Sequence, residues 1–163
     1  MALTLESANK VRQKTRMITR DPGVFYALKA FFLDWAANHG NADLQLITFS
    51  DSSTSTDLDA ANVNTGYSPI GGVACKVYVL YAKNAGTGDG TDSYISLHNA
   101  TDNASANLIT APIQDDNDAF LFVSKSGVSF ATDLTISAAT TAGGATESTA
   151  GNGANGFVII GAA

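Results

Sequence analysis

Two histidines, one cysteine, one serine-centred glycine motif, one glycine-rich hexapeptide and two acidic clusters are the groups from which this chain could build chemistry. Nucleophilic hydrolysis needs a serine raised on a strained turn, with a free N–H just after it to hold the oxyanion. Gly66-Tyr67-Ser68-Pro69-Ile70-Gly71 approaches that pattern but is one residue too long, and Pro69 removes the N–H. The partners for such a serine would be His39 or His98 with a carboxylate, an arrangement that spacing alone neither forbids nor requires. Dinucleotide binding needs Gly-x-Gly-x-x-Gly between a strand and a helix, because the helix N-terminus holds the pyrophosphate. Gly151-Asn152-Gly153-Ala154-Asn155-Gly156 has the letters, but a terminal strand follows it rather than a helix. It therefore reads as a turn. Asp115-Asp116-Asn117-Asp118 and Asp89-Gly90-Thr91-Asp92 offer oxygens to a hard cation. Neither is a twelve-residue calcium loop closed by glutamate, and Asp and Asn are also preferred turn residues. One cysteine and two distant histidines do not make a zinc site. The expectation is a protein without catalytic residues, cofactor or metal.

Charge is the sharper signal. Residues 1–29 hold six basic groups (Lys10, Arg12, Lys14, Arg16, Arg20 and Lys29) against two acids, a net of +4. The remaining residues hold thirteen acids against three bases, a net of −10, so the chain carries −6 overall. Lys10, Arg12, Lys14, Arg16 and Arg20 fall in one short stretch with no aromatic residue for base stacking. The acidic remainder repels a polyanion. An acidic protein surface is therefore the expected partner, ahead of nucleic acid.

The elements that must carry these groups follow from periodicity. Residues 4–20 lack Gly and Pro, and Leu5, Ala8, Val11, Thr15 and Ile18 recur at helical spacing. That helix is marginal alone and is expected to order against a partner. Asp21-Pro22 then ends one helix and opens another, Asp21 as N-cap and Pro22 at the first position. Val24, Phe25, Leu28, Phe31, Phe32 and Trp35 form a strong apolar stripe, and Gly40 supplies a stop. Phe25, Leu28, Phe31, Phe32 and Trp35 are expected to serve packing or self-association, on the domain or on a neighbouring subunit. His39 reads as a cation at the C-terminus of that helix.

After Gly40 the pattern changes to short β-branched and aromatic runs between turn clusters. The runs are 44–49, 73–82, 94–98, 108–111, 119–123, 128–131, 134–138 and 157–160. No helical segment separates them, which excludes βαβ units. About eight short strands with long loops predict a mainly β protein, a jelly-roll-like β-sandwich over 44–163 with a helical or extended arm over 1–43.

Composition sets the remaining bounds. Charged residues are 15% of the 163, and apolar residues 45%. The chain is long enough to bury a core without metal or disulfide. The lone Cys75 permits no internal disulfide, and its place in Val73-Ala74-Cys75-Lys76-Val77 predicts a buried, inert thiol. No run approaches the ~20 apolar residues that cross a membrane, and residues 1–20 lack the apolar core of a signal peptide. No membrane partner is expected.

A family pattern runs through about residues 73–163. Val77-Tyr78-Val79-Leu80-Tyr81-Ala82-Lys83-Asn84 is followed by Tyr94-Ile95-Ser96-Leu97-His98-Asn99-Ala100-Thr101 and a step at Leu108–Pro112. Then come Phe122, the run Gly127-Val128-Ser129-Phe130-Ala131-Thr132-Asp133-Leu134-Thr135-Ile136-Ser137 and the terminal Gly156–Gly161. This resembles the head decoration (cement) and related structural proteins of tailed bacteriophages. The resemblance implies a jelly-roll-like sandwich on the capsid surface of the virion, assembled in the host bacterial cytoplasm. It implies that the protein bridges major capsid protein subunits, most often as a homotrimer and in some relatives as a dimer. On that reading Lys10, Arg12, Lys14, Arg16 and Arg20 are the capsid-docking groups. The alternative is a tail or head-surface adhesin module that binds host carbohydrate through rim residues such as Tyr67, Tyr94 and His98.

Overall fold

A computed structural model describes residues 5–18, 21–40, 42–49, 74–84, 93–100, 107–113, 118–139 and 154–163, and every structural statement below is made of these residues. Two helices lie near the N-terminus, α1 (Ala8–Ile18) and α2 (Pro22–His39). The two-residue strand β1 (Glu6–Ser7) precedes them. Seven strands follow: β2 (Asp43–Phe49), β3 (Cys75–Asn84), β4 (Ser93–His98), β5 (Asn107–Ile113), β6 (Ala119–Phe130), β7 (Thr135–Ala139) and β8 (Ala154–Ala162).

The strands form two sheets in which every pairing is antiparallel. One sheet has the order β1-β2-β8-β3-β6, the other β5-β4-β7. The predicted mainly β architecture with two facing sheets is therefore present. Strand alternation accounts for the core between them. Cys75, Val77, Leu80 and Ala82 of β3 and Val158 and Ile160 of β8 point inward. They meet Ile95 and Leu97 of β4, Ala111 and Ile113 of β5, and Ile136 and Ala138 of β7.

The opposite face of the five-stranded sheet is also buried. Leu44, Tyr78, Val79, Phe157 and Ile159 meet Val24, Leu28, Phe31, Phe32 and Trp35 of α2 and Val11 of α1. The molecule thus has three layers: helices, five-stranded sheet, three-stranded sheet. The apolar stripe of α2 packs on its own sheet, one of the two expected alternatives. The helix α1, expected to await a partner, also lies on its own protein, with Val11 and Thr15 buried. A helical layer on the sheet therefore stands where the sequence predicts an arm.

A bulge lets β3 serve both cores. The pairing of β3 with β6 and with β8 shifts register between Val77 and Val79. One extra residue breaks the alternation, so the consecutive Tyr78 and Val79 both face the helices. On β6 the same irregularity sets residues 124–127 opposite Tyr78, with Gly127 at φ 72°. A Cβ at Gly127 would lie 2.9 Å from Tyr78 Cε1, so this close approach needs glycine. The runs expected as separate strands, 119–123 and 128–131, are consequently the two halves of one bulged strand.

The helix signals behave as their chemistry dictates. Asp21 Oδ1 accepts from the N–H of Gly23 at 2.7 Å and of Val24 at 3.3 Å, with Pro22 first in the helix. The start of α1 differs from expectation. Thr4 to Ser7 were expected to be helical, but Glu6 and Ser7 pair with Leu44 and Asp43, and the helix opens at Ala8. A helix cannot begin while those residues sit in a sheet ladder.

Candidate functional site

The helical period splits the basic residues of α1 into two flanks. At ~100° per residue, positions i and i+4 share a flank. With Val11 and Thr15 turned inward, Arg12 and Arg16 lie on the side toward α2, and Lys10 and Lys14 on the other. Thr15 Oγ1 donates to the Val11 carbonyl at 2.8 Å, which satisfies a hydroxyl that α1 buries. Lys14 Nζ is held by Glu6 Oε2 at 2.6 Å, a partly exposed pair. Lys10 is exposed. Arg20 lies outside the described residues.

Helix α2 carries a second stripe beside the one that meets the sheet. Phe25, Leu28, Lys29, Phe32 and Leu33 follow at i, i+3, i+4, i+7 and i+8. With Arg12, Thr15 and Arg16 of α1 they line a groove of about 260 Å³. Its floor is apolar and its walls are cationic. The Arg16 guanidinium lies 5.9 Å from the centre of the Phe25 ring, within cation–π range. Among the described residues Arg12, Arg16 and Lys29 form no ion pair, whereas Lys14 pairs with Glu6 and Lys125 with Asp34.

The expected docking residues therefore separate. Arg12 and Arg16 share the groove, Lys14 is tied to Glu6, and Lys10 points elsewhere. Lys29 joins the groove and was not among the expected docking residues. Its signal was its spacing: four residues from both Phe25 and Leu33, just outside the stripe that faces the sheet. Of the expected packing residues, Leu28, Phe31, Phe32 and Trp35 are buried in the helix–sheet core, and Phe25 is half-buried at the groove. Trp35 anchors the end of α2. Its indole N–H donates to the Ala42 carbonyl at 3.2 Å, and its ring stacks on His39 at 4.2 Å and meets Tyr78 edge-on at 4.7 Å. His39, expected as a helix-end cation, is thus placed against an indole face.

The other candidate groups fall away from this groove. His98 was expected on a rim, but it is 1% exposed, its Nε2 2.8 Å from Ser137 Oγ. Both side chains are covered, which leaves a substrate no approach to the pair. Cys75 is buried between the sheets, and burial, aided by the nearby Asp133 carboxylate, pushes its thiol up to about 12. It is buried, as its apolar run predicts, and both burial and the raised value disfavour the reactive thiolate. Tyr94 is half-buried on β4. Residues 66–71, 89–92, 115–117 and 151–153 lie outside the described residues. Gly156 belongs to β8, where a Cβ would lie 2.0 Å from the Tyr81 carbonyl oxygen. It is needed for strand packing. No group of three or more His, Cys, Asp or Glu side chains able to hold a metal occurs among the described residues. No described helix is long and apolar enough to cross a membrane.

No family model, curated protein or solved structure matches this chain.

Proposed function

We propose that this protein is a structural component of a tailed-bacteriophage head, a decoration protein that binds the outer capsid and bridges major capsid protein subunits. The observation that carries the reading is the basic groove, whose Arg12, Arg16 and Lys29 form no ion pair among the described residues, in a chain that is otherwise net acidic. A cationic surface favours an acidic partner. On a symmetric shell, many such weak contacts add by avidity.

Strand order supports the jelly-roll part of the reading. With strands numbered along the chain, a jelly roll places 1-8-3-6 in one sheet and 2-7-4-5 in the other. Here β2-β8-β3-β6 faces β5-β4-β7, with β2 in the first position and β3 to β8 in the third to eighth. The second position has no counterpart among the described residues. Self-association, as a trimer ahead of a dimer, belongs to the same proposal, and so does a location on the virion surface.

The test is co-sedimentation of the purified protein with phage heads that lack decoration, followed by cryo-EM of the pelleted heads. Saturable binding with density at fixed lattice positions is the expected result. Heads that pellet without the protein across a range of low salt concentrations would sink the proposal. Binding to a glycan array with none to heads would favour the adhesin alternative.

A further inference from the structure

The groove between α1 and α2 has more definition than a basic surface. Its three cations, Arg12, Arg16 and Lys29, rise from two helices around an apolar floor. Of the five large apolar side chains exposed among the described residues, three belong to the helices: Met17 (85%), Tyr26 (66%) and Leu33 (61%). Leu33 is itself a groove residue. Among the described residues, Asp21 is engaged with its helix cap, Glu6 with Lys14 and Asp34 with Lys125.

We propose that this groove is a docking site for an acidic amphipathic peptide segment of a partner protein, one that seats an apolar side chain on Phe25, Phe32 and Leu33 while its carboxylates pair with Arg12, Arg16 and Lys29. Guanidinium groups accept carboxylates through two parallel hydrogen bonds, which gives orientation as well as attraction. An apolar anchor ringed by charge is the usual form of a peptide-binding groove. At about 260 Å³ the cleft is smaller than the ~300–1,000 Å³ of sites for drug-sized ligands, so it suits a side-chain anchor rather than a whole cofactor. A nucleic acid fits less well, because three cations converge among the described residues and the rest of the chain is net negative. The identity of the partner as a capsid protein rests on the reading above; the chemistry of the groove does not.

The experiment uses the full chain and a fluorescein-labelled peptide that alternates glutamate with leucine and phenylalanine, followed by fluorescence anisotropy. The expected result is saturable binding that weakens with salt. Arg16→Glu and Lys29→Glu should each weaken it about tenfold or more, Arg16→Gln by less, and Leu33→Ala measurably. Lys10→Glu, on the opposite flank of α1, should leave it unchanged. Thermal melts of each variant establish that the fold is retained. Several outcomes overturn the proposal: equal weakening by Lys10→Glu, which means diffuse attraction; equal binding of a peptide with glutamine for glutamate; or tighter binding of a labelled oligonucleotide at the same residues. Loss of self-association in Arg16→Glu without peptide binding by the wild type also overturns it, and assigns the groove to a second copy. Peptide binding without head binding retains the groove and removes the capsid partner. Head binding that survives Arg16→Glu and Lys29→Glu, with no peptide binding, does the reverse.

Discussion

The two faces of the five-stranded sheet bury apolar surface in different ways. Toward the second sheet the contacts are mostly aliphatic, with Leu80, Ile95, Leu97, Ile113, Ile136 and Ile160 fully covered. Toward the helices five of the eleven buried residues are aromatic: Phe31, Phe32, Trp35, Tyr78 and Phe157. Two pleated sheets approach with matched rows of side chains, and branched aliphatics fill the gap. A helix on a sheet leaves a wider and less regular gap, which flat rings bridge through edge contacts such as Trp35 on Tyr78. The comparison teaches where function can reside. The inter-sheet core is closed by strands on both sides, whereas the helical layer has an outer surface, and that surface carries the basic groove.

The difference can be tested by removing one large side chain from each core. Leu80→Ala and Trp35→Ala should each cost about 2–5 kcal/mol. Their patterns of hydrogen exchange should differ. Trp35→Ala is expected to speed exchange in α1 and α2 while β3 and β4 keep their protection, because the helices only cover a sheet that has its own partner. Leu80→Ala should lower protection in all three layers. Uniform loss in both variants would mean that the layers are one cooperative unit and the distinction is only geometric.

Gly156→Ala sharpens the comparison at the point where the sheet is tightest. The added methyl would meet the Tyr81 carbonyl and the Phe49 ring, so β8 must move away from β3, at an expected cost of about 1–3 kcal/mol. Denaturation showing wild-type stability would mean that the two strands can separate freely there. Asp21→Ala acts at the start of α2 in the helical layer. It removes the acceptor for two backbone N–H groups, and urea unfolding should show a loss of about 1 kcal/mol.

The smallest effect at neutral pH belongs to the groups that each core shields. Cys75 is held neutral between the sheets up to about 12, against an ordinary value of 9.0. Burial also raises Tyr78 and, with a contribution from Asp21, Tyr81 on the helix side. A raised folded-state value means that the unfolded chain gives up its proton first. These groups therefore add full stability below pH 9 and lose it as pH climbs toward 12. Melting temperature should fall across that range, and less steeply in Cys75→Ala. An identical alkaline slope in the variant would show that the thiol contributes nothing to it.

Much of the architecture is readable from local pattern. The stripe of α2, its Asp21-Pro22 start and its stop at Gly40 depend only on neighbours along the chain, and they stand where the spacing predicts. The strands at Leu44, Tyr94 and Leu134 were visible for the same reason, since alternation has a period of two residues. The helical spacing of Glu6 and Ser7 is overridden because nothing within them reports that Leu44 and Asp43 come alongside. The interruption of β6 was misread as a turn between strands because Ser124 to Gly127 carry turn chemistry, while the bulge that absorbs them is defined by β3.

The sequence by itself determined that a basic, helical beginning is joined to an acidic, mainly β remainder, because charge and periodicity are properties of the chain. Only the tertiary structure decided what that contrast amounts to. It laid the helices on the sheet, buried His98 against Ser137, tied Lys14 to Glu6 and left Arg12, Arg16 and Lys29 together over Phe25, Phe32 and Leu33. Those outcomes depend on which surfaces are covered when distant segments meet, and covering is a property of the packed whole.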